Sequence, residues 1–260
     1  MDLDLKLADP SVQIDDDVPL WRYLDLPKYL DLLTTQSLKM PRASSMEDVY
    51  EGLMAPGAIA ATIARDLADG APGYVRHARI NQVHKRSLFL THRTYISCWN
   101  AFPSENAGLW RLYGDEKGVA IRTTWGSLRR SLAGTADCVR DVFHGKVEYR
   151  SAQEDDRIPQ TYTDQYFIKR REFSHENEFR LVAHDESREH KFNEPSLEGL
   201  PRLATLPCDL NTLIEEVVVS PRLGEWVWET VRDVSHKYGG TWDVTHSRLY
   251  QPPPDEIMDY

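Results

Sequence analysis

The last third of the chain carries the feature that most constrains the fold. A β-branched run, IEEVVVSP at 214–221, precedes an amphipathic stretch, RLGEWVWETVRDVSHKYG at 222–239, and a second short run, TWDVTHSRL at 241–249. Short β-rich runs on both sides of a helical pattern are typical of strand, helix and strand in succession. These residues therefore predict a closing β-α-β unit.

The remaining pattern mixes strands and helices without regular alternation. It predicts further strands at 93–99, about 117–123 and 177–184. It predicts helices from about Pro27, across 54–87 with a break at DGAPG, and over DQYFIKRREF at 164–173. Such a mixture predicts an α+β protein whose mixed or split β-sheet core is flanked by helices.

The length of 260 residues suits a single large domain with a sizeable core. We expect an acidic flexible arm over 1–17, one catalytic-type domain over 18–250 and a C-terminal tail over 251–260. The formal net charge of −10 argues against bulk attraction to nucleic acid or an anionic membrane. No apolar run approaches the roughly 18 residues of a membrane-spanning helix, and the acidic N-terminus does not look like a signal peptide.

Cysteine and histidine usage gives no sign of a metal site. The three cysteines are Cys98, Cys138 and Cys208. They are far apart in sequence and form no C-x-x-C pair, which fits a protein of the reducing cytoplasm. The candidate metal-binding histidines are His84, His92, His175 and His184. They form neither H-E-x-x-H nor another closely spaced metal-binding motif. The sequence therefore predicts a cytoplasmic protein with no metal site.

A short acidic motif is the main candidate for chemistry. The stretch FSHENEFRLVA at 173–183 places Glu176, Glu178 and Arg180 two residues apart. On a strand these three side chains share one face, and the opposite apolar face points into the core. One interpretation is an exposed ion pair worth less than about 1 kcal/mol. The other is a carboxylate pair that stabilises positive charge in an oxocarbenium-like transition state.

Two further side chains extend the second interpretation. Arg22, in LWRY, lies beside aromatic residues on an expected strand and suits a bidentate contact with a pyrophosphate. Ser97, in YISCW, carries a small hydroxyl on a central strand and could orient a carboxylate.

Arginine, serine and E-x-E in this chain order resemble the arrangement of the cholera-toxin-like ADP-ribosyltransferases. The resemblance implies that Arg22 binds the phosphates of NAD and that Ser97 supports the catalytic Glu178. It implies that Glu176 selects or activates the acceptor. That family often has a serine-x-serine strand, whereas Cys98 and Trp99 follow Ser97 in this chain.

A broader resemblance covers most of the chain. The sequence is similar to bacterial domain-of-unknown-function family twenty-nine seventy-one in LWRY, SSMEDVYEG, ISCW, GLWRLYGDEKGVAI and VEYR, and in Lys169 before FSHENEFRLV. The two resemblances together imply NAD-binding roles for a set of residues in these motifs: Arg22, Tyr23, Ser97, Trp110, Tyr113 and Arg180.

The sequence thus predicts an NAD-dependent ADP-ribosyltransferase or NAD glycohydrolase. Resemblance implies a bacterial toxin or anti-phage defence effector that modifies an unknown acceptor, protein or nucleic acid. Two alternatives stay open: a nuclease-like effector with carboxylate-bound Mg²⁺, and a non-catalytic binding module in which E-x-E-x-R is a structural ion-pair network.

Overall fold

A computed structural model describes residues 4–9, 12–114, 117–132, 139–151, 153, 157, 161, 163–185 and 201–251. The described strands are β1 (Asp4–Leu7), β2 (Pro19–Leu24), β3 (Ser37–Pro41), β4 (Thr94–Asn100), β5 (Val119–Thr124), β6 (Val139–Lys146), β7 (Glu148–Arg150), β8 (Ile168–Arg170), β9 (Glu178–Asp185), β10 (Leu203–Pro207), β11 (Glu216–Val219) and β12 (Asp243–His246). Cys138 and residues 252–260 of the expected tail lie outside the described residues.

The described α-helices are α1 (Leu26–Thr35), α2 (Pro56–Ala68), α3 (Gly73–Thr91), α4 (Ala107–Tyr113), α5 (Trp125–Ser131), α6 (Leu210–Leu213) and α7 (Glu225–Lys237). Short 3-10 helices span Ala43–Ser45, Asp164–Phe167 and Arg171–Glu176. The α+β class predicted from the sequence is confirmed. In the described part of the chain, no helix has both the length and the apolar character needed to cross a bilayer.

The chain divides into two compact units. The first unit comprises Met1–Ile14, Leu38–Ala101 and Ala133–Pro207, and the second comprises Asp15–Ser37, Phe102–Leu132 and Cys208–Tyr260. Each unit is therefore built from segments that are far apart in sequence. A single domain over 18–250 stays a prediction.

The first unit has a mixed sheet in the order β1-β6-β9-β4. Strand β1 pairs parallel with β6, whereas β9 pairs antiparallel with both β6 and β4. Every residue of β9 is buried, because strands and packed helical segments surround it. Ile96 and Val182 of this sheet pack against Tyr166 and Phe167 of the 3-10 helix Asp164–Phe167.

The second unit has its own mixed run of strands in the order β2-β5-β11-β12. Strands β2 and β11 both pair antiparallel with β5, and β12 pairs parallel with β11. Helix α7 connects β11 to β12, so the β-α-β unit predicted from the closing residues is confirmed. A buried aromatic and aliphatic cluster lies beside this sheet and contains Trp21, Tyr23, Leu109 and Trp110.

Two local predictions are wrong. The expected arm over 1–17 contains strand β1, and the Lys6 ammonium lies 2.5 Å from the Asp141 carboxylate on β6. The expected helix over 164–173 is instead two 3-10 segments separated by β8, which pairs parallel with β7. In both cases, pairing with a strand distant in sequence determines the local backbone.

Candidate active site

The E-x-E-x-R motif lies at the start of β9 in the first unit. Glu178 and Arg180 alternate with Phe179 along the strand and therefore share one face. Glu178 is 4% exposed and Arg180 is 1% exposed. The interpretation of an exposed ion pair is thus wrong, because both charged groups lie inside the unit.

Glu176 does not belong to the same strand. It ends the 3-10 helix Arg171–Glu176, and Asn177 turns the chain through a left-handed conformation at φ 42° before β9 begins. The expected half-buried strand with one charged face is therefore wrong in two ways: its first carboxylate precedes the strand, and both faces are buried. Glu176 still reaches the cluster, because Lys169 bridges it to Glu178.

The Arg180 guanidinium forms the centre of this cluster. Its Nε donates to Glu178 Oε2 at 2.6 Å, and Nη2 donates to Glu178 Oε1 at 3.2 Å. Two further bonds join Nη1 and Nη2 to the oxygens of Glu51 at 2.6 and 2.9 Å, and Nη1 also donates to the Tyr166 carbonyl at 2.7 Å. A guanidinium has five N–H donors, and these five bonds use all of them in this structure. Its expected contact with NAD stays a prediction, and in this structure Arg180 instead fixes two carboxylates.

Lys169 supplies the second cation of the cluster. Its ammonium pairs with Glu176 and lies 2.7 Å from Glu178 Oε1. The same ammonium lies 4.5 Å from the centre of the Phe173 ring, which adds a cation–π contact. Lys169 comes from β8, so the segment that was expected to be helical presents this side chain from a strand instead.

The surrounding charges keep Glu178 ionised. Burial alone would raise its pKa, but the Arg180 guanidinium, a hydrogen bond with the Glu176 side chain and the Lys169 ammonium hold the pKa of Glu178 well below its usual range. Loss of hydration lowers the pKa of Lys169, but the charge of Glu178 and the hydrogen bonds to Glu176 and Glu178 together outweigh it and leave that pKa raised. The cluster therefore presents an ionised carboxylate between two cations, Arg180 and Lys169.

This shift makes a contribution to stability that depends on pH. The folded-state pKa of Glu178 is below the ordinary 4.5, so its contribution is complete above about pH 4.5 and is lost as the pH falls through the lower folded value. We expect the difference in unfolding free energy between wild type and Glu178→Gln to shrink as the pH falls below about 4.5. Urea unfolding at a series of pH values measures it. A difference that stays constant down to acid pH would show that the charge of Glu178 does not stabilise the fold.

Sequence reasoning gave no role to Glu51, the third carboxylate of the cluster. Glu51 precedes Gly52, whose φ of +70° is a left-handed conformation that favours glycine. A Cβ at Gly52 would lie 2.2 Å from Cε1 of Tyr166, so a side chain has no room there. The turn at Gly52 thus brings Glu51 against Arg180, and the sequence signal for it was the EG pair within SSMEDVYEG.

A pocket of the first unit opens beside this cluster. Its volume is about 50 Å³, and both Glu51 and Lys169 line it. Apolar walls come from the start of α2, the loop before it and β8: Leu53, Met54, Pro56 and Ile168. The remaining charged lining comprises Asp48, Arg150, Arg157 and Arg170. The pocket therefore combines apolar walls, two members of the Glu178 cluster and several arginines.

Ser97 lies on the other face of the sheet from Glu178. The register of β4 and β9 pairs Ser97 with Leu181 and Asn100 with Glu178. Paired residues point to the same face and neighbours alternate, so Ser97 points away from the carboxylate. The expected contact between Ser97 and Glu178 is wrong, while a role of Ser97 in cofactor binding stays a prediction. Cys98, not Ser97, shares the face of Arg180; burial and then the charge of Glu178 raise the pKa of its thiol well above the ordinary range.

The remaining predicted NAD-binding residues lie in the second unit. Arg22 is on β2 opposite Ile121. Tyr23 Oη accepts from the Asn106 backbone N–H at 2.8 Å, and its ring contacts Trp110 edge-on at 5.0 Å. Tyr113 ends α4 and is 40% exposed. A shared cleft formed by Arg22, Ser97 and Glu178 stays a prediction, whereas Glu51, Glu176, Glu178, Lys169 and Arg180 are in direct contact.

No metal centre is evident in the described ranges, where no group of three or more His, Cys, Asp or Glu side chains is arranged to hold an ion. The three carboxylates of the cluster are instead bridged by Lys169 and Arg180.

Comparisons with protein-family models, curated proteins and solved structures found no match to this chain. The geometry of the first unit is therefore the basis for inferring function.

Proposed function

We propose that the protein is an NAD-dependent ADP-ribosyltransferase or NAD glycohydrolase in which Glu178 is the catalytic carboxylate. The observation that carries the proposal is an ionised, buried Glu178, bridged by Lys169 to a pocket lined by arginines. We also propose membership of domain-of-unknown-function family twenty-nine seventy-one, an ADP-ribosyltransferase-like fold and a cytoplasmic role as a toxin or anti-phage effector. The α+β architecture is consistent with that fold.

Cleavage of NAD requires negative charge beside the ribose that is bonded to nicotinamide. When the bond between nicotinamide and ribose breaks, positive charge develops on the ribose as an oxocarbenium-like ion. A carboxylate that is already ionised and fixed in place stabilises this charge without reorganising. Glu178 meets both conditions, since Arg180 holds both of its oxygens and Lys169 contacts one of them.

The phosphates of NAD require cations in reach of the same site. The sequence assigned them to Arg22, but the pocket beside the cluster has arginines of its own. The side chains of Arg150, Arg157 and Arg170 are 27%, 46% and 32% exposed. Arg150 and Arg157 pair with Glu148, and Arg170 forms an ion pair with Asp48 at 2.9 Å. Since guanidinium groups bind phosphate oxygens in bidentate fashion, we propose that these arginines hold the pyrophosphate.

Cofactor dependence tests the proposal directly. Purified protein is incubated with NAD in the presence of a chelator, and nicotinamide release is followed by chromatography. We expect release without added magnesium, because the charges that act on the ribose come from the protein. No release from wild type under any condition tried, including with added cell extract as a source of acceptor, would overturn the proposal. Cleavage of DNA or RNA that requires magnesium would favour a nuclease instead.

The two glutamates of the motif are expected to have different effects. Glu176 contacts Lys169 from outside the strand, so we propose that it orients or deprotonates the acceptor. Glu176→Gln should lose most transfer to the acceptor and keep much of the slower hydrolysis of NAD, because water needs little positioning. Nicotinamide release is measured with and without acceptor for each single variant. Equal loss of hydrolysis in Glu176→Gln and Glu178→Gln would contradict this division of roles.

A non-catalytic binding module is the second candidate. The observation that favours it is Arg180, whose five donors are all used inside the first unit, as expected for a structural ion-pair network. Under this hypothesis Glu178→Gln changes stability and no activity. Wild-type turnover of NAD would decide against it.

A further inference from the structure

The Lys169 ammonium has one donor that the described residues do not use. An ammonium carries three N–H groups. Two of them are directed to Glu176 and Glu178, and the remaining contact is with the Phe173 ring. The Lys169 side chain is only 10% exposed and lines the pocket. A ligand oxygen in the pocket can therefore accept a hydrogen bond from Lys169.

Glu51 offers the complementary group in the same pocket. Each of its oxygens accepts one hydrogen bond from Arg180, at 2.6 and 2.9 Å, and a carboxylate oxygen can accept a second. The carboxylate is 3% exposed, so a ligand donor would meet it away from water. The pocket thus presents one donor and one acceptor from neighbouring parts of a single cluster.

The volume and the apolar walls of the pocket further restrict the kind of ligand that it can bind. A volume of about 50 Å³ is more than the roughly 10–15 Å³ that a cavity needs to hold one water molecule, and it suits a group of a few atoms. Leu53, Met54, Pro56 and Ile168 form apolar walls around it. A planar amide attached to an aromatic ring matches this combination, with its polar end enclosed and its ring against the walls.

We infer that this pocket binds an aromatic carboxamide, whose carbonyl oxygen accepts from Lys169 and whose N–H donates to Glu51. The inference rests on the proposed function and deepens it, because the carboxamide in question is the nicotinamide end of NAD. Lys169 and Glu51 then determine which leaving group the site accepts. Arg180 acts through both carboxylates and positions them.

A series of small ligands with the wild-type protein tests the site without any risk of misfolding. Binding of nicotinamide, nicotinate and 3-methylpyridine is measured by NMR titration of the labelled protein. We expect nicotinamide to bind at least about tenfold more tightly than 3-methylpyridine, which lacks both amide groups. Nicotinate should also bind more weakly, because it carries a negative charge towards Glu51. Equal affinities for the three ligands, or no binding of nicotinamide, would overturn the inference.

Substitution of Lys169 gives the second test. Lys169→Met should weaken nicotinamide binding by about tenfold, whereas Lys85→Met, at an exposed position of α3 in the same unit, should leave it unchanged. Unchanged binding in a folded Lys169→Met protein would refute the site. NAD turnover without selective nicotinamide binding would refute this inference and leave the proposed function standing. Selective nicotinamide binding without NAD turnover would support the site and refute the proposed function.

Discussion

Glu178→Gln is expected to lower nicotinamide release from NAD by about 100- to 1,000-fold per folded molecule. The amide keeps the size of the side chain, but its nitrogen cannot accept a hydrogen bond from Arg180 or Lys169, and it removes the negative charge that we propose stabilises the oxocarbenium-like ion. Because Glu178 is buried between Arg180 and Lys169, the variant should also lose stability. Turnover must therefore be measured well below the unfolding temperature and normalised to the folded fraction.

The same strand provides a matched control. Asp185 lies at the far end of β9, is 1% exposed and forms an ion pair with Arg93 at 3.7 Å. Asp185→Asn removes a buried charge from the same strand without touching the Glu178 cluster. We expect it to lose stability and to keep wild-type turnover per folded molecule. Full turnover in folded Glu178→Gln, or equal losses in both variants, would remove the catalytic role from Glu178.

Arg180→Leu is expected to lower the free energy of unfolding by about 3–5 kcal/mol. The substitution leaves the carboxylates of Glu51 and Glu178 buried without their shared cation, and an unpaired buried charge is costly. Urea unfolding followed by circular dichroism measures the loss. Adding Glu51→Gln to Arg180→Leu should recover part of it, because one of the two stranded charges is then removed.

A solvent-exposed ion pair is a control that shows how much of the stability loss in Arg180→Leu comes from burial. Arg122 and Glu216 are 3.1 Å apart in the second unit, with side chains 47% and 23% exposed. Since solvent screens such a pair, Arg122→Leu should cost less than about 1 kcal/mol. Equal losses for Arg180→Leu and Arg122→Leu would contradict the account of the cluster as a buried, mutually dependent network.

The sequence predicted the fold best where local pattern decides the structure. The closing β-α-β unit, helices α2 and α3 and strand β9 follow from hydrophobic periodicity and turn residues within each segment. Strands β1 and β8 were missed because each depends on pairing with a distant segment, β6 and β7 respectively. A charged strand of three or four residues has no local signal strong enough to show its partner.

The sequence predicted only part of the candidate site, because some of its contacts also depend on segments that are distant in sequence. Glu176, Glu178 and Arg180 are neighbours in sequence, so the acidic motif was visible. The side of the sheet that Ser97 faces depends on the register of β4 against β9, and a shift of one residue would reverse it. Glu51 and Lys169 belong to motifs that were noted, but only the folded chain shows that both bind the same cluster.

We expect the Glu178 cluster of the first unit to bind and cleave NAD. A crystal structure of the Glu178→Gln protein soaked with NAD tests it most directly, because the slowed variant should retain the intact dinucleotide. We expect the nicotinamide carboxamide to lie between Lys169 and Glu51, with the ribose facing residue 178. NAD bound only in the second unit, or no NAD at saturating concentration in a folded protein, would contradict it.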